Sequence, residues 1–235
     1  EAKELLNRID VRIIEEHEKE ERRGYLGISQ LGTECDRALW LNFHWAYFEK
    51  FTAQKLRLFA RGHKEEERFL EWLKPVCEEL LPVNPKTGKQ WKVVAHNEIM
   101  SGHSDGVCKI DGVWYLLEFK THGDKSYKEL MKLKSVRSVK PVHYTQVQQY
   151  MHLMKLTQCL YFAINKNTDE IYIELIHYDA DYAIIDWHRA LDCITDETGM
   201  SSPRISEAAT WWQCNMCNYK PVCKGGKLPE RNCRT

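Results

Sequence analysis

Asp105, Glu118 and Lys120 lie in a stretch otherwise rich in Val, Ile, Leu, Trp, Tyr and Phe. Their types suit a site that holds a hard divalent cation beside an ammonium group. In an extended Val113–Lys120 segment side chains alternate, so Trp114, Leu116, Glu118 and Lys120 share one face and Val113, Tyr115, Leu117 and Phe119 the other. Both faces begin apolar, which predicts a strand covered on both sides whose last charges sit at the margin of a core, where they are costly without a partner. A metal ion is a natural partner; a Glu/Lys pair at a fraying strand end is the plainer alternative. Upstream, Gly102-His103-Ser104-Asp105-Gly106 opens the preceding strand, and Asp111-Gly112 is a strong hairpin signal. Counting back along that hairpin brings Asp105 nearly opposite Glu118, so that two carboxylates can grip one Mg2+ or Mn2+.

Two helices reach towards the same place. Phe59, Leu70, Leu73 and Val76 recur at helical spacing between Leu56 and Leu80, with the charged block Lys64–Arg68 on the opposite side. His63 then falls on the buried face, while Lys64, Glu65 and Glu67 lie largely outside it. A hydrogen-bonded core histidine is the ordinary outcome, and two carboxylates expected nearby favour a metal ligand. In a helix over 143–156, Val147, Met151 and Met154 form the apolar stripe, with Gln146 and Tyr150 as an i,i+4 pair beside it. That pair can point into a groove and hydrogen-bond a phosphate or a lysine, although a plain surface pair has the same spacing.

A second constellation closes the chain. Cys214-x2-Cys217-x5-Cys223 sets three soft thiolates in one small loop, a strong metal-binding signal that needs a fourth ligand. Cys233 is the local candidate and Cys35 the distant one. Of the remaining cysteines, Cys77, Cys108, Cys159 and Cys193 stand singly in apolar or periodic stretches, as buried free thiols do. Between Lys120 and Lys140, seven basic residues face two acidic ones. Lys125, Lys128, Lys132 and Lys134 could take phosphates without reading sequence, with Tyr127 among them to stack on a base; a solvated helix face is the bland reading.

The elements that must position these residues follow from periodicity. A charged helix occupies the region before Gly24, and the segment Leu26–Phe48 is too aromatic to stay exposed. Strands are predicted at 91–99, 104–110 and 113–121, helices at 124–135 and 143–156, a second hairpin at 158–164 and 170–178, and a helix at 179–197. The order indicates an α/β layered domain with a metal-stabilised tail. The expected division is 1–55, a helical region carrying Cys35; 56–198, the core; and 199–235, the cysteine-rich tail. With 235 residues, 43% hydrophobic and 29% charged, the composition is globular and excludes a disordered or collagenous chain. The 34 basic and 34 acidic residues cancel, which excludes a uniformly basic protein but leaves a local nucleic-acid surface open. A charged amino terminus and the lack of a long apolar run predict a cytoplasmic protein that does not use a membrane.

Taken in order, Gly62-His63, Gly102-x-x-Asp105, Glu118-Phe119-Lys120 and Gln146-x-x-x-Tyr150 resemble the PD-(D/E)XK nuclease superfamily in its RecB-like exonuclease branch, over roughly residues 26–225. The resemblance implies a restriction-endonuclease-like core, a mixed central sheet flanked by helices, and hydrolysis of DNA ends or single strands in recombination, repair or phage DNA processing. It implies His63, Asp105, Glu118 and the Phe119 carbonyl as ligands of Mg2+ or Mn2+, Lys120 as the catalytic lysine, and Gln146 and Tyr150 as accessory groups; a lysine close to such a cation and partly desolvated is expected to have its pKa pushed down. Glu34-Cys35-Asp36-Arg37-Ala38-Leu39-Trp40 is similar to the early cysteine motif of iron–sulfur nucleases of this branch. That likeness implies a [4Fe–4S] cluster on Cys35, Cys214, Cys217 and Cys223, with Zn2+, with or without Cys233, as the alternative. Closing a loop of roughly 180 residues would restrain the unfolded chain by about 5 kcal/mol. The partners implied are DNA and a recombination partner protein.

Two other readings compete. His63-Lys64-Glu65 with Cys214-x2-Cys217 has the residue types of a zinc deaminase, but Gln213 stands where that motif has proline, and the separation is too long. A non-catalytic nucleic-acid-binding module built on a zinc knuckle would leave Asp105, Glu118 and Lys120 without a task.

Overall fold

The structure is a computed structural model that describes residues 1–21, 23–47, 49–199 and 201–229. Cys233, one candidate ligand of the tail, lies outside the described residues. Helix α1 (Ala2–Glu18) is followed by the short strand β1 (Leu26–Gly27), α2 (Asp36–Phe43) and the long α3 (Ala53–Leu73). Strands β2 (Glu79–Leu81), β3 (Trp91–Ala95), β4 (Met100–Ser104), β5 (Gly106–Ile110) and β6 (Val113–His122) come next. Helices α4 (Asp124–Leu133), α5 (Val136–Val139) and α6 (Pro141–Met154) cross over to β7 (Gln158–Asn165). The chain ends through β8 (Ile171–His177), α7 (Ala180–Thr195) and two single-turn helices, α8 (Trp212–Asn215) and α9 (Lys220–Cys223).

The main sheet has the order β2-β5-β6-β7-β8, mixed because β6 and β7 run parallel while the other pairs are antiparallel. A smaller sheet, β1-β4-β3, stands beside it. Both faces of β6 are covered, as its two apolar stripes require. On one side Leu117 and Phe119 pack with Phe69 and Leu73 of α3 and Phe162 of β7. On the other, Leu116 joins Val147, Tyr150 and Met151 of α6, Tyr161 of β7, and Leu39 and Trp40 of α2. The aromatic segment after Leu26 is therefore core, whereas α1 buries no residue. Among the described residues no helix is long and apolar enough to cross a membrane.

Several boundaries differ from periodicity, each for a local reason. The strand expected to reach Ile99 stops at Ala95 because His96, Asn97 and Glu98 all take positive φ (48°, 54° and 67°), a turn that leads back into β4. The Asp111-Gly112 turn has φ of 50° and 77°, the pattern of a tight two-residue hairpin. Helix α3 ends at Leu73 instead of continuing to Leu80, because Glu79–Leu81 pairs with β5 as an edge strand. Its buried stripe also runs differently. Phe59 is exposed and meets Phe51 edge-on outside the core, and Val76 lies beyond the helix, so Leu56, Phe69 and Leu73 set the phase.

Candidate active site

The β5–β6 hairpin pairs Gly106 with Leu117, so the next step along the ladder sets Asp105 against Glu118. The Phe119 main-chain N–H donates to Asp105 Oδ2 at 2.7 Å, which fixes the carboxylate at the end of β6. The Phe119 ring itself points to the opposite face and stacks on Phe69, leaving only its backbone at the site. Glu118 is completely buried. Lys120 Nζ forms an ion pair with its Oε1, while Oε2 has no hydrogen-bond partner among the described residues. A buried carboxylate oxygen without a donor is costly, and a bound cation is the simplest way to satisfy it.

The electrostatics show a surplus of negative charge. Burial, with Asp105 and Glu66 adding to it and Lys120 opposing, pushes the Glu118 carboxyl up to about 8. Burial also raises Asp105, against the pull of Lys120, the Phe119 N–H and His63. Glu66 is raised by burial and then by Asp105. Lys120 departs from expectation. Burial disfavours its charge, but Glu118, Asp105 and Glu66 together outweigh that and hold it above the usual lysine range. Three carboxylates around one ammonium reverse the downward shift expected for it.

His63 is the main correction. Its side chain is 78% exposed, not on the buried face, and Nδ1 lies 3.4 Å from Glu66 Oε1. The cause is the phase of α3: a stripe through Phe69 and Leu73 passes through Glu66, three and seven residues earlier, and not through His63. That spacing is the signal by which Glu66 could have been found. Glu65, also expected outside, is buried and paired with Arg68 at 2.7 Å. As the side chains stand, no three His, Cys, Asp or Glu groups among the described residues converge closely enough to hold a single ion.

Gln146 and Tyr150 are both buried on α6. The Tyr150 hydroxyl donates to the His103 carbonyl at 2.8 Å, and burial, with Glu118 beside it, pushes its pKa upward. This contact ties α6 to the strand that delivers Asp105. It depends on Gly102, where an added Cβ would stand 2.7 Å from the Tyr150 ring and hydroxyl. Gly102→Ala is therefore expected to lower stability by about 1–3 kcal/mol. The same substitution in a Tyr150→Ala background should cost far less, and a double-mutant thermal-melting cycle measures the difference.

No protein-family model matches the chain, and no curated protein matches its sequence. Solved structures do. The crystal structure of SSO0001 superposes with a TM-score of 0.54 at 18% identity, covering 95% of this chain and 98% of that one. An alkaline exonuclease, LHK-Exo from Laribacter hongkongensis, gives a TM-score of 0.53 at 16% identity over 74% of this chain and 87% of its own. The fold is restriction-endonuclease-like. LHK-Exo in complex with dAMP gives the same TM-score, 0.53, at 15% identity. At these identities the likeness is one of fold, and the chemistry must be argued from this chain's own residues.

Within this restriction-endonuclease-like frame the tail folds back on α2. Cys35, Cys214, Cys217 and Cys223 line one cavity of about 330 Å³. Glu34 and Gln213, 179 residues apart in sequence, are hydrogen-bonded at its rim. The loop carrying Cys35 is clamped by Arg189 of α7, which bonds to Asp36, to the Leu31 carbonyl at 2.5 Å and to the Thr33 carbonyl. Lys125, Lys128 and Lys132 are exposed along α4, and Lys134 is exposed in its left-handed cap. Tyr127 is not available to stack on a base. It is 3% exposed, because its position on α4 faces the core with Leu130.

Proposed function

We propose that this chain is a divalent-metal-dependent deoxyribonuclease, an exonuclease of the PD-(D/E)XK superfamily acting on DNA ends or single strands. The observation that carries the reading is Asp105 held against Glu118, with one buried Glu118 oxygen unpartnered and Lys120 on the same strand face. Buried carboxylate oxygens in excess of positive charge fit a hard cation such as Mg2+ or Mn2+. Asp105, Glu118 and the Phe119 main chain would hold it, with Glu66 and, behind it, His63 alongside. Bound there, such a cation supplies a water ionised near neutral pH and positive charge for the pentavalent phosphate.

The chain's own residues do the rest. Lys120, kept protonated by its carboxylate neighbours, offers fixed positive charge to the phosphate oxygens where little water competes. Tyr150, beside Gln146, holds the His103 backbone and so the strand leading to Asp105. Lys125, Lys128, Lys132 and Lys134 give a salt-dependent grip on the DNA backbone. The fold neighbour described as an alkaline exonuclease and crystallised with dAMP supports this substrate class. The four cysteines lining one cavity would hold a [4Fe–4S] cluster, with Zn2+ as the alternative.

Lys120→Ala and Asp105→Ala are each expected to lower hydrolysis of linear DNA by about 10²–10³-fold or more with an unchanged circular-dichroism spectrum. A well-folded, cluster-loaded wild-type protein that leaves linear single- and double-stranded DNA intact with Mg2+ or Mn2+ would overturn the reading in favour of a binding module.

A further inference from the structure

Strand β6 carries another polar side chain on the face it shares with Glu118 and Lys120. His122 is 4% exposed, and its ring is engaged on both sides: Nδ1 lies 2.9 Å from Ser126 Oγ of α4, and Nε2 lies 3.1 Å from the Tyr161 hydroxyl. Tyr161 is fully buried and is the register partner of Glu118 in the parallel β6–β7 pair. Its hydroxyl also meets His143 Nδ1 at 2.7 Å. A continuous chain, Ser126–His122–Tyr161–His143, therefore runs beside the carboxylate site without belonging to it.

Two proton assignments are self-consistent along the chain, and the distances favour one of them. A hydroxyl donor makes a shorter bond than an N–H donor, so Tyr161 donates across the 2.7 Å contact to His143 Nδ1 and accepts across the 3.1 Å contact from His122 Nε2. His122 Nδ1, left without a proton, accepts from the Ser126 hydroxyl. His143 must then carry its proton on Nε2. Neither ring is cationic at neutral pH: burial pushes His122 down to about 4 and His143 lower still, and the charges facing them oppose protonation. Those charges are Lys120 of β6 and Lys140 at the start of α6, while the facing histidine ring and Tyr161 of β7 are neutral. His143 sits in the first turn of α6, three residues before Gln146 and seven before Tyr150, on the same helix face. It is only partly buried, and among the described residues Nε2 meets no protein acceptor.

We propose that His143 is a catalytic residue that gives a neutral hydrogen bond from Nε2–H to a non-bridging oxygen of the DNA phosphate beside Lys120, its tautomer fixed by the Tyr161–His122–Ser126 chain. This inference rests on the nuclease reading. The design has a physical logic. A second cation next to Lys120 would be repelled, whereas a neutral donor of fixed tautomer adds directionality without charge.

Kinetics and nitrogen-15 histidine NMR test it. His143→Ala is expected to lower kcat/KM on linear DNA by about 10²-fold, and His143→Gln, which keeps a neutral N–H donor, to retain activity within about tenfold of wild type. Tyr161→Phe removes the hydrogen bond that fixes the His143 tautomer and should let NMR detect the Nδ1–H form of the ring, with a partial loss of kcat/KM. In the metal-free wild type, NMR should show the Nε2–H tautomer of His143, with Nε2 shifting when a single-stranded oligonucleotide is added with Ca2+. Wild-type rates in His143→Ala, an Nδ1–H tautomer of the wild-type ring, or an Nε2 resonance unmoved by the oligonucleotide would each overturn the proposal. A wild-type protein that binds the oligonucleotide through His143 but never cleaves it would sink the nuclease reading and leave the contact standing.

Discussion

Changing Glu118 to glutamine is expected to reduce DNA hydrolysis by about 10³-fold and, in the same protein, to raise the melting temperature measured without metal. Both effects have one origin. The Glu118 carboxyl is completely buried and is pushed from an ordinary 4.5 to about 8 by desolvation, with Asp105 and Glu66 adding to the shift. The unfolded chain releases that proton near its ordinary pKa, while the folded chain keeps it up to about pH 8. Between those values folding must take up a proton, so the metal-free fold loses stability as pH rises through the window from about 4.5 to about 8.

Glutamine removes the titration and keeps the shape, and Lys120 retains Asp105 and Glu66 as partners. A gain of about 2–5 °C at neutral pH is the expected scale. The pH slope between about 5 and 8 should flatten along with it. In the wild type, adding Mn2+ should raise the melting temperature most at the high end of the window, because cation binding requires the ionised carboxylates and releases their protons. Thermal melting in EDTA and in Mn2+ across that range checks all three. A lower melting temperature for Glu118→Gln with an unchanged pH slope would refute the electrostatic account.

How far such a site can be read from sequence depends on whether its geometry is local. Asp105 and Glu118 are joined by one tight hairpin, and the Asp111-Gly112 turn together with the period of two in β6 sets their register without outside help. Periodicity points to His63 when its phase is taken from Phe59 and to Glu66 when it is taken from Phe69 and Leu73. That choice turns on a small rotation of α3, decided when Phe69 stacks on Phe119 across the sheet face, and Phe59 suggested the wrong phase because it packs outside the core. The same limit applies to Tyr127, whose neighbours in sequence are lysines but whose neighbours in space are core residues. His122, Tyr161 and His143 meet only through the parallel β6–β7 pairing and the helix crossing over it. No spacing announces such a contact, because nothing in the intervening crossover sets the register of two parallel strands. The cysteine tail lies between these extremes: its three-thiol loop is local and visible, while its approach to Cys35 needs the whole core to be folded.

Replacing Cys35 by serine should have the largest effect on stability. Cys35 is the N-cap of α2, and with Cys214, Cys217 and Cys223 it surrounds the tail cavity, so a cluster bound there would join the two ends of the fold. Removing one ligand would release a loop of roughly 180 residues, costing about 5 kcal/mol on the chain-entropy argument. That is a large share of the 5–15 kcal/mol by which domains are ordinarily stable. A fall in melting temperature of about 10 °C or more follows. Catalysis should suffer too. Gly32, in the Cys35 loop, packs so closely on α6 that an added Cβ would stand 2.4 Å from Val142 Cα, and Val142 itself lines the cavity. The turn of α6 that abuts the cysteine loop is thus the turn that begins the face of His143, Gln146 and Tyr150. Loosening the loop removes the stop against which that helix is placed. Cys35→Ser protein purified without oxygen should therefore lack iron, sulfide and a broad visible absorption band, melt early and cleave DNA poorly even at temperatures where it stays folded. A colourless wild-type protein that holds zinc, with Cys35→Ser melting at the same temperature, would instead confine the metal to the three late cysteines and remove any link between the tail and α6.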